Sequence, residues 1–324
     1  MKFYTFMPQA LLSLALTTVP ALAQSTANSQ GSSHLPDVVG NLLRLNEPRT
    51  FSKTPLKPAA SGSSKTYQFA SADYPGSATS LVLDENVTEA VGYTQEQDNV
   101  SGFTLKAGTY ELFTVPSFTN EITGINTAGQ IVGIYADSSD TTHGFLDSGG
   151  VVTNIDDPSA KLDGTAPFDI NDGGEIVGYF IDSSNLSHGF YTLDGGISFT
   201  DFDYPGATST LASGVNKAGN IVGKWLDSSL NAHSFLLSKG TYSSFDFPSG
   251  SETTAIGIND SNEIAGYFAD ASGAYHGFIY SNGAFTQVDI AGAMGTQITR
   301  IKNNGRITGL YIDQLNESHG FTGH

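Results

Sequence analysis

The chain has 324 residues, with 14 Lys and Arg against 32 Asp and Glu, a formal charge of −18, 37 Gly and no Cys. That acidity disfavours nucleic acid, whose phosphates need Lys and Arg, and the lack of Cys removes disulfides, thiolate metal sites, a Cys nucleophile and a lipoprotein anchor. Charged residues make up only 14%, against a usual ~25%, which suits short strands and tight turns and argues against long surface helices.

Residues 1–23 are predicted to be a signal peptide. Lys2 begins it, residues 10–23 are apolar, and Ala21 and Ala23 form an Ala-x-Ala cleavage site before Gln24. The apolar run is shorter than the ~20 residues a membrane span needs. A secreted protein, extracellular or periplasmic, with no membrane span after cleavage is therefore expected. Residues 24–66 are rich in Ser, Ala and Pro and are predicted to be a flexible linker. Of the 32 acidic residues, 30 fall in 67–324, the stretch predicted to fold.

That stretch is built of repeats. Residues 122–145 (ITGINTAGQIVGIYADSSDTTHGF) match 167–190 (PFDINDGGEIVGYFIDSSNLSHGF), and 212–235, 255–278 and 298–321 follow the same pattern. The aromatic ending each unit falls at Phe103, Phe145, Phe190, Phe235, Phe278 and Phe321, with an upstream Gly at Gly92, Gly133, Gly178, Gly223, Gly266 and Gly309. In the last five units Gly and Phe are 12 apart; in the first they are 11 apart, and Ser101 stands where the others have His.

Each unit divides into four short strands. In the fifth, 253–259, 263–270, 275–281 and 284–290 are predicted strands, the last two joined by Asn282-Gly283, a strong hairpin signal. An Asn precedes the first turn at Asn126, Asn171, Asn216, Asn259 and Asn303, where its side chain can bond backbone two residues on. Four strands per ~43 residues is the pattern of a propeller blade. The last unit stops after its third strand, while residues 67–76 (YQFASADYPG) match the fourth strand of the third unit, 199–206 (FTDFDYPG). The expected fold is therefore all-β, a six-bladed β-propeller of four-stranded blades over 67–324. Its last blade is closed by the N-terminal strand, about residues 67–74, and the closed ring leaves no exposed edge. A β-solenoid is the alternative, although it would not need the matching end strand.

The tripeptides His-Gly-Phe at 143–145, 188–190, 276–278 and 319–321, the variant His-Ser-Phe at 233–235, and the Gly-Ile-Asn…Ile-Val-Gly-Tyr lead-in resemble the HAF (His-Ala-Phe) extracellular repeat family of bacteria. The resemblance covers 79–324, with Gly or Ser in place of the middle Ala. It implies a secreted or cell-surface bacterial protein and no defined activity.

Five pairs recur six residues apart: Asp137/His143, Asp182/His188, Asp227/His233, Asp270/His276 and Asp313/His319. Each is predicted to face its mate across a hairpin as a buried hydrogen bond, and repetition in five blades speaks for architecture over catalysis. The Asp-Ser-Ser turns offer Asp137, Asp140, Asp182 and Asp227 as weak Ca²⁺ ligands, solvated turns being the simpler account, so no cofactor is expected. Asp73, Asp203, Asp246 and Asp156 mark blade-to-blade crossings, and Tyr135, Phe180, Trp225, Phe268 and Tyr311 are predicted core between blades. No Gly-x-Ser-x-Gly, P-loop, dinucleotide or His-Glu-x-x-His motif occurs. The expected function is a non-catalytic, monomeric binding module for a polysaccharide or surface protein. One alternative is a carbohydrate-active enzyme, glycosidase or lyase, which would need carboxylates from different blades converging at the channel mouth; Asp172, Glu175, Glu252, Asp260 and Glu263 lie near loops without singling themselves out. A structural envelope component is the other.

Overall fold

The structure, a computed structural model, describes residues 67–324 except 78, 97–98, 116–118, 140 and 162–163. The predicted signal peptide, the predicted linker and Asp140 lie outside the described residues. Six antiparallel four-stranded sheets make a six-bladed β-propeller. Among the described residues there is no helix, hence none long and apolar enough to cross a membrane. Blade 5 is typical: its strands are Glu252–Ile258, Ile264–Ala269, Tyr275–Ser281 and Ala284–Val288, from the axis outward, each within two residues of the expected bounds.

The ring closes as expected. Phe69–Ser71 pairs antiparallel with Ser318–Gly323, in register Phe69↔Gly323 and Ser71↔Phe321, as the outer strand of blade 6. An open solenoid is thereby excluded.

The repeated Gly and Phe have a packing reason. They are cross-strand neighbours on the second and third strands, as in Gly133↔Phe145 and Gly266↔Phe278. A Cβ on Gly133 would strike the Glu121 carbonyl and come within 2.7 Å of the Phe145 ring. The glycine lets the ring lie flat over the inner strands, and all six phenylalanines are fully buried.

Side-chain parity separates two kinds of core. Six apolar clusters each fill one interface between neighbouring blades; that between blades 4 and 5, for example, joins Val222 to Ala255, Ile264 and Phe278. A seventh runs down the axis and takes residues from all six blades, among them Leu81, Ile134, Ala166, Leu211, Tyr267 and Leu310.

Asparagines link the blades on one face. The Asn126 Oδ1 accepts the N–H groups of Ala128 (3.1 Å) and Gln130 (3.0 Å) and so closes its own turn. Its Nδ2 donates to the Asn171 carbonyl of the next blade at 3.2 Å. The same outward bond runs from Asn86, Asn171, Asn216 and Asn259, at 2.9–3.3 Å. In the last unit this position is Lys302, not the expected Asn303, which lies one residue further and instead bonds Asp260. At the seam between blades 6 and 1 ion pairs replace the amides: Lys302 reaches Asp84, and the Arg306 guanidinium grips Glu85 at 2.7 and 2.9 Å.

Candidate functional site

Two constellations need assignment: the repeated His-Asp groups on one face and the charged groups at the axis.

Each repeated histidine has two carboxylates, not one. The sequence-predicted partner across the hairpin lies 3.5–3.6 Å from Nε2. The closer partner is the Asp that ends the outer strand: Nδ1 lies 2.8–3.1 Å from Asp156, Asp203, Asp246, Asp289 and Asp73. Four of these five anchors, all but Asp289, are the residues expected to mark crossings. The expected burial holds only for His276, at 7% side-chain exposure; the other four are 23–26% exposed. The aromatic two residues after each repeat Gly covers the imidazole, as Trp225 does His233 at 4.6 Å and Phe268 does His276 at 5.0 Å.

At His188 and His276 the two flanking carboxylates favour the imidazolium, in which both ring nitrogens donate. Burial alone would lower His276, but hydrogen bonds and charge from Asp289 and Asp270 outweigh it and raise it; His188, between Asp203 and Asp182, is raised the same way. The first carboxylates are committed elsewhere too. Oδ1 of Asp137 accepts Ser139 N (2.8 Å) and Thr141 N (3.0 Å), and Asp182 and Asp227 close their turns alike. Each group is a clamp on three strand ends, and the turns spend one carboxylate oxygen on their own backbone. Among the described residues, three close metal-ligand types meet only at Asp313, Glu317 and His319, largely at the surface.

The axis departs from the repeat. Every inner strand carries a β-bulge, and the residue after it is Asp84, Gly124, Asp169, Gly214, Gly257 or Arg300 in blades 1 to 6. Arg300 is buried and crosses the axis: Nη2 donates to the carbonyls of Phe168 (2.6 Å) and Thr123 (3.2 Å), and Nη1 to that of Thr299 (2.8 Å). Its Nε lies 3.5 Å from Asp169 and 3.8 Å from Asp84. The glycines give it room, since a Cβ on Gly257 would meet Arg300 Cα at 2.9 Å. Both carboxylates also accept backbone N–H groups from neighbouring blades, Asp84 from Ile125 (3.0 Å) and Asp169 from Val215 (2.9 Å). Burial pushes the Asp169 carboxyl above the usual range, against the pull of Arg300. This group is a pin through the hub. The sequence signal for it is the one variable column among the recurring ones: Leu-Asp-Glu-Asn, Thr-Gly-Ile-Asn, Phe-Asp-Ile-Asn and Thr-Arg-Ile-Lys differ at their second position.

Above the pin, on the asparagine face, opens a cavity of about 690 Å³ to which all six blades contribute. Its rim alternates signs: Asp172, Lys217, Asp260 and Lys302 follow one another. Asp172 accepts from Thr127 (2.9 and 2.8 Å) and Asp260 from Lys217 N (2.9 Å). Glu175 and Glu263 accept from Asn171 (3.1 Å) and Asn259 (2.8 Å) within their own turns. Glu252 starts the inner strand of blade 5, toward the other face. The convergence of carboxylates that an enzyme would need is thus present at Asp84 and Asp169, but both are tied to backbone and cations.

No protein-family model matches the chain, and comparison with curated proteins finds no relative. Solved structures match across most of it. AofleA from Arthrobotrys oligospora is 12% identical, with TM-score 0.51 over 81% of this chain and 87% of that one. The Aleuria aurantia lectin, as a point mutant in complex with α-methyl-L-fucoside, is 11% identical, with TM-score 0.48 over 75% and 91%. Virginiamycin B lyase from Staphylococcus aureus is 12% identical, with TM-score 0.48 over 79% and 88%. At such identities the likeness extends to the propeller fold and no further.

Proposed function

We propose that this is an exported, non-catalytic binding protein of the HAF-repeat kind that takes a polar ligand of the glycan class at the asparagine-face channel mouth. The observation that carries it is the 690 Å³ mouth, built from all six blades, in which the carboxylates of Glu85, Asp169, Asp172 and Asp260 are engaged by backbone, amides or cations, Glu89 being the further carboxylate of the lining. A site that must move protons keeps a poised acid or base open to its substrate; Asp169, a lining carboxyl held above the usual range by burial, is instead bonded to the Val215 N–H and beside Arg300, and serves the hub. Lining the cavity are amides, hydroxyls, the exposed Lys217, the half-buried Glu89 and the outer edges of Asp172 and Asp260. Such a rim suits a ligand that offers many hydroxyl donors and acceptors.

The test is a thermal-melt panel on the exported chain with soluble polysaccharides and their oligomers, followed by assay of each hit for shortening. A ligand bound only by the folded state stabilises it by about 2.7 kcal/mol at a hundredfold excess over Kd. The reading expects a shift with an intact glycan, reduced in Asp172→Ala/Lys217→Ala. A flat panel, or a glycan that is cleaved, contradicts it. Export is tested by fractionating the native host: the mature chain is expected to begin at Gln24 outside the cytoplasm.

A further inference from the structure

Where blade 2 crosses to blade 3, three departures from the repeat fall together. The residue after each anchoring Asp is held by one recurring bond, its N–H donating to a Ser or Thr hydroxyl on the next inner strand. In four blades that residue is Tyr74, Tyr204, Phe247 or Ile290, each packed into the apolar cluster of its interface. After blade 2 it is Asp157. The second departure faces the repeated Phe. Its outer-strand partner is Leu112, Asn154, Ser244, Gln287 or Ser71 in five blades, and Asp201 in blade 3. The third is a loop. The outer hairpin has two residues, 107–108, 149–150, 239–240 and 282–283, in blades 1, 2, 4 and 5, but in blade 3 it spans 193–199. Asp194 orders this loop by accepting from Ile197 N (3.1 Å), Ser198 N (2.9 Å) and the Ser198 hydroxyl (2.6 Å).

All three line one cavity of about 380 Å³, with Asp156 beside them. Asp157 is 4% exposed. Its Oδ1 accepts the Ser159 N–H at 2.7 Å, while its Oδ2 has no hydrogen-bond partner among the described residues. The Asp201 carboxyl comes within hydrogen-bonding reach of it across the cavity. Ionised carboxylates only accept, so the two cannot satisfy each other. A buried acceptor left unpaired is costly, and four other crossings avoid that cost with an apolar side chain. The scaffold therefore shows its own alternative to Asp157. No Lys, Arg or His lines the cavity among the described residues, so no lining side chain neutralises the pair. A shared proton or a cation can. Two carboxylates carry the charge that one divalent ion cancels, and Asp201 is exposed, which gives an ion its way in.

We infer that Asp157 and Asp201 form a Ca²⁺ site that fastens blade 2 to blade 3. Carboxylate oxygens suit hard cations. Ca²⁺ accepts an irregular cradle of loops, whereas Mg²⁺ demands near-ideal octahedral geometry. Backbone oxygens of the crossing after Asp157 and of the 193–199 loop, with water, are the donors available to complete the shell. The site differs from the Asp-Ser-Ser turns, whose carboxylates close their own backbone, and from Asp313, Glu317 and His319, which lie largely at the surface. It is independent of the glycan reading.

Equilibrium dialysis of the EDTA-stripped exported chain against radioactive Ca²⁺, at neutral pH and physiological ionic strength, tests it. The expected result is a single ion per chain with a Kd of about 0.1–1 mM, the range of extracellular calcium modules, displaced only weakly by Mg²⁺. Affinity is expected to fall at least tenfold in Asp157→Asn and in Asp201→Asn, and to stay unchanged in Asp313→Asn and in the mouth variant Asp172→Ala/Lys217→Ala. Excess CaCl₂ should raise the Tm of wild type and leave that of the two pair variants where it was. Should Asp157→Asn fail to fold, Asp201→Asn, at an exposed position, carries the same test. No binding in this range, equal affinity for Mg²⁺, or an ion still held by the pair variants would overturn it; the first result would leave a shared proton between the two carboxyls.

Discussion

The rim and the hub of this propeller are made by the same strands under opposite rules. At the rim, five blades repeat one device: a histidine between two aspartates, covered by an aromatic, as at His233 between Asp227 and Asp246 under Trp225. At the hub, equivalent positions hold Asp, Gly, Asp, Gly, Gly and Arg. Repetition serves strand ends that every blade must fasten. The axis is shared, so a group contributed by one blade occupies space that the others must leave empty; six arginines would not fit where one spans the ring. Asymmetry at the hub is thus a geometric necessity for the pin and an opportunity for recognition.

The contrast predicts unequal costs. Removing the pin should hurt most. Arg300→Met leaves Asp84 and Asp169 buried with one cation fewer, and breaking a buried ionic group costs about 3–5 kcal/mol; urea unfolding should show it, and Asp84→Asn/Asp169→Asn added to it should recover part of the loss. At the rim, His276→Ala should cost about 1.5–3 kcal/mol, the range for hydrogen bonds to charged groups, because His276 is 7% exposed. His143→Ala, with its partners at the surface, should cost under about 1 kcal/mol. Equal losses at the two would break the link drawn between burial and clamp strength.

The rim should also set the pH profile. His188 and His276 are raised above 6.5 in the folded state. Their stabilisation is full below the unfolded-state value and is lost as pH rises through the folded one. The Leu186 N–H, against burial, holds Asp182 below 3.8, so its contribution is present above that value and is lost as pH falls through the folded one. Tm should therefore be highest in mildly acidic buffer, between these limits, and the alkaline decline should flatten in His188→Ala/His276→Ala. The smallest effect concerns a misfit. Burial, then the charge of Asp157, pushes Asp201 up to about 6, so ionising it opposes folding as pH climbs from about 4 to 6. Asp201→Asn should raise Tm slightly at pH 7 and leave it unchanged at pH 4.

Most of the fold was legible because a propeller writes itself six times. The Gly-Phe pairs, the Asn turns and the stray end strand at Phe69–Ser71 together gave blade count and closure. The clamps were half legible: the six-residue spacing of Asp270 and His276 is local, whereas Asp289 joins from 13 residues away and Asp73 from 246 residues before His319. The pin and the buried charges at Glu121 and Lys224 were not read at all. Glu121 and Lys224 look, in sequence, like solvated residues in alternating strands; only the closing of the ring puts both on the axis. Asn303 misled for a simpler reason, a one-residue slip that put it where Lys302 holds the seam.

The central claim is that recognition belongs to the hub and fastening to the rim. The most direct test is one glycan titration on three proteins: wild type, the rim variant His143→Ala/His233→Ala, and the hub variant Asp172→Ala/Lys217→Ala. The account predicts equal affinity for wild type and rim variant at a temperature where both are folded, and at least a tenfold loss in the hub variant. Loss in the rim variant with full affinity in the hub variant would place the ligand among the histidines and contradict it.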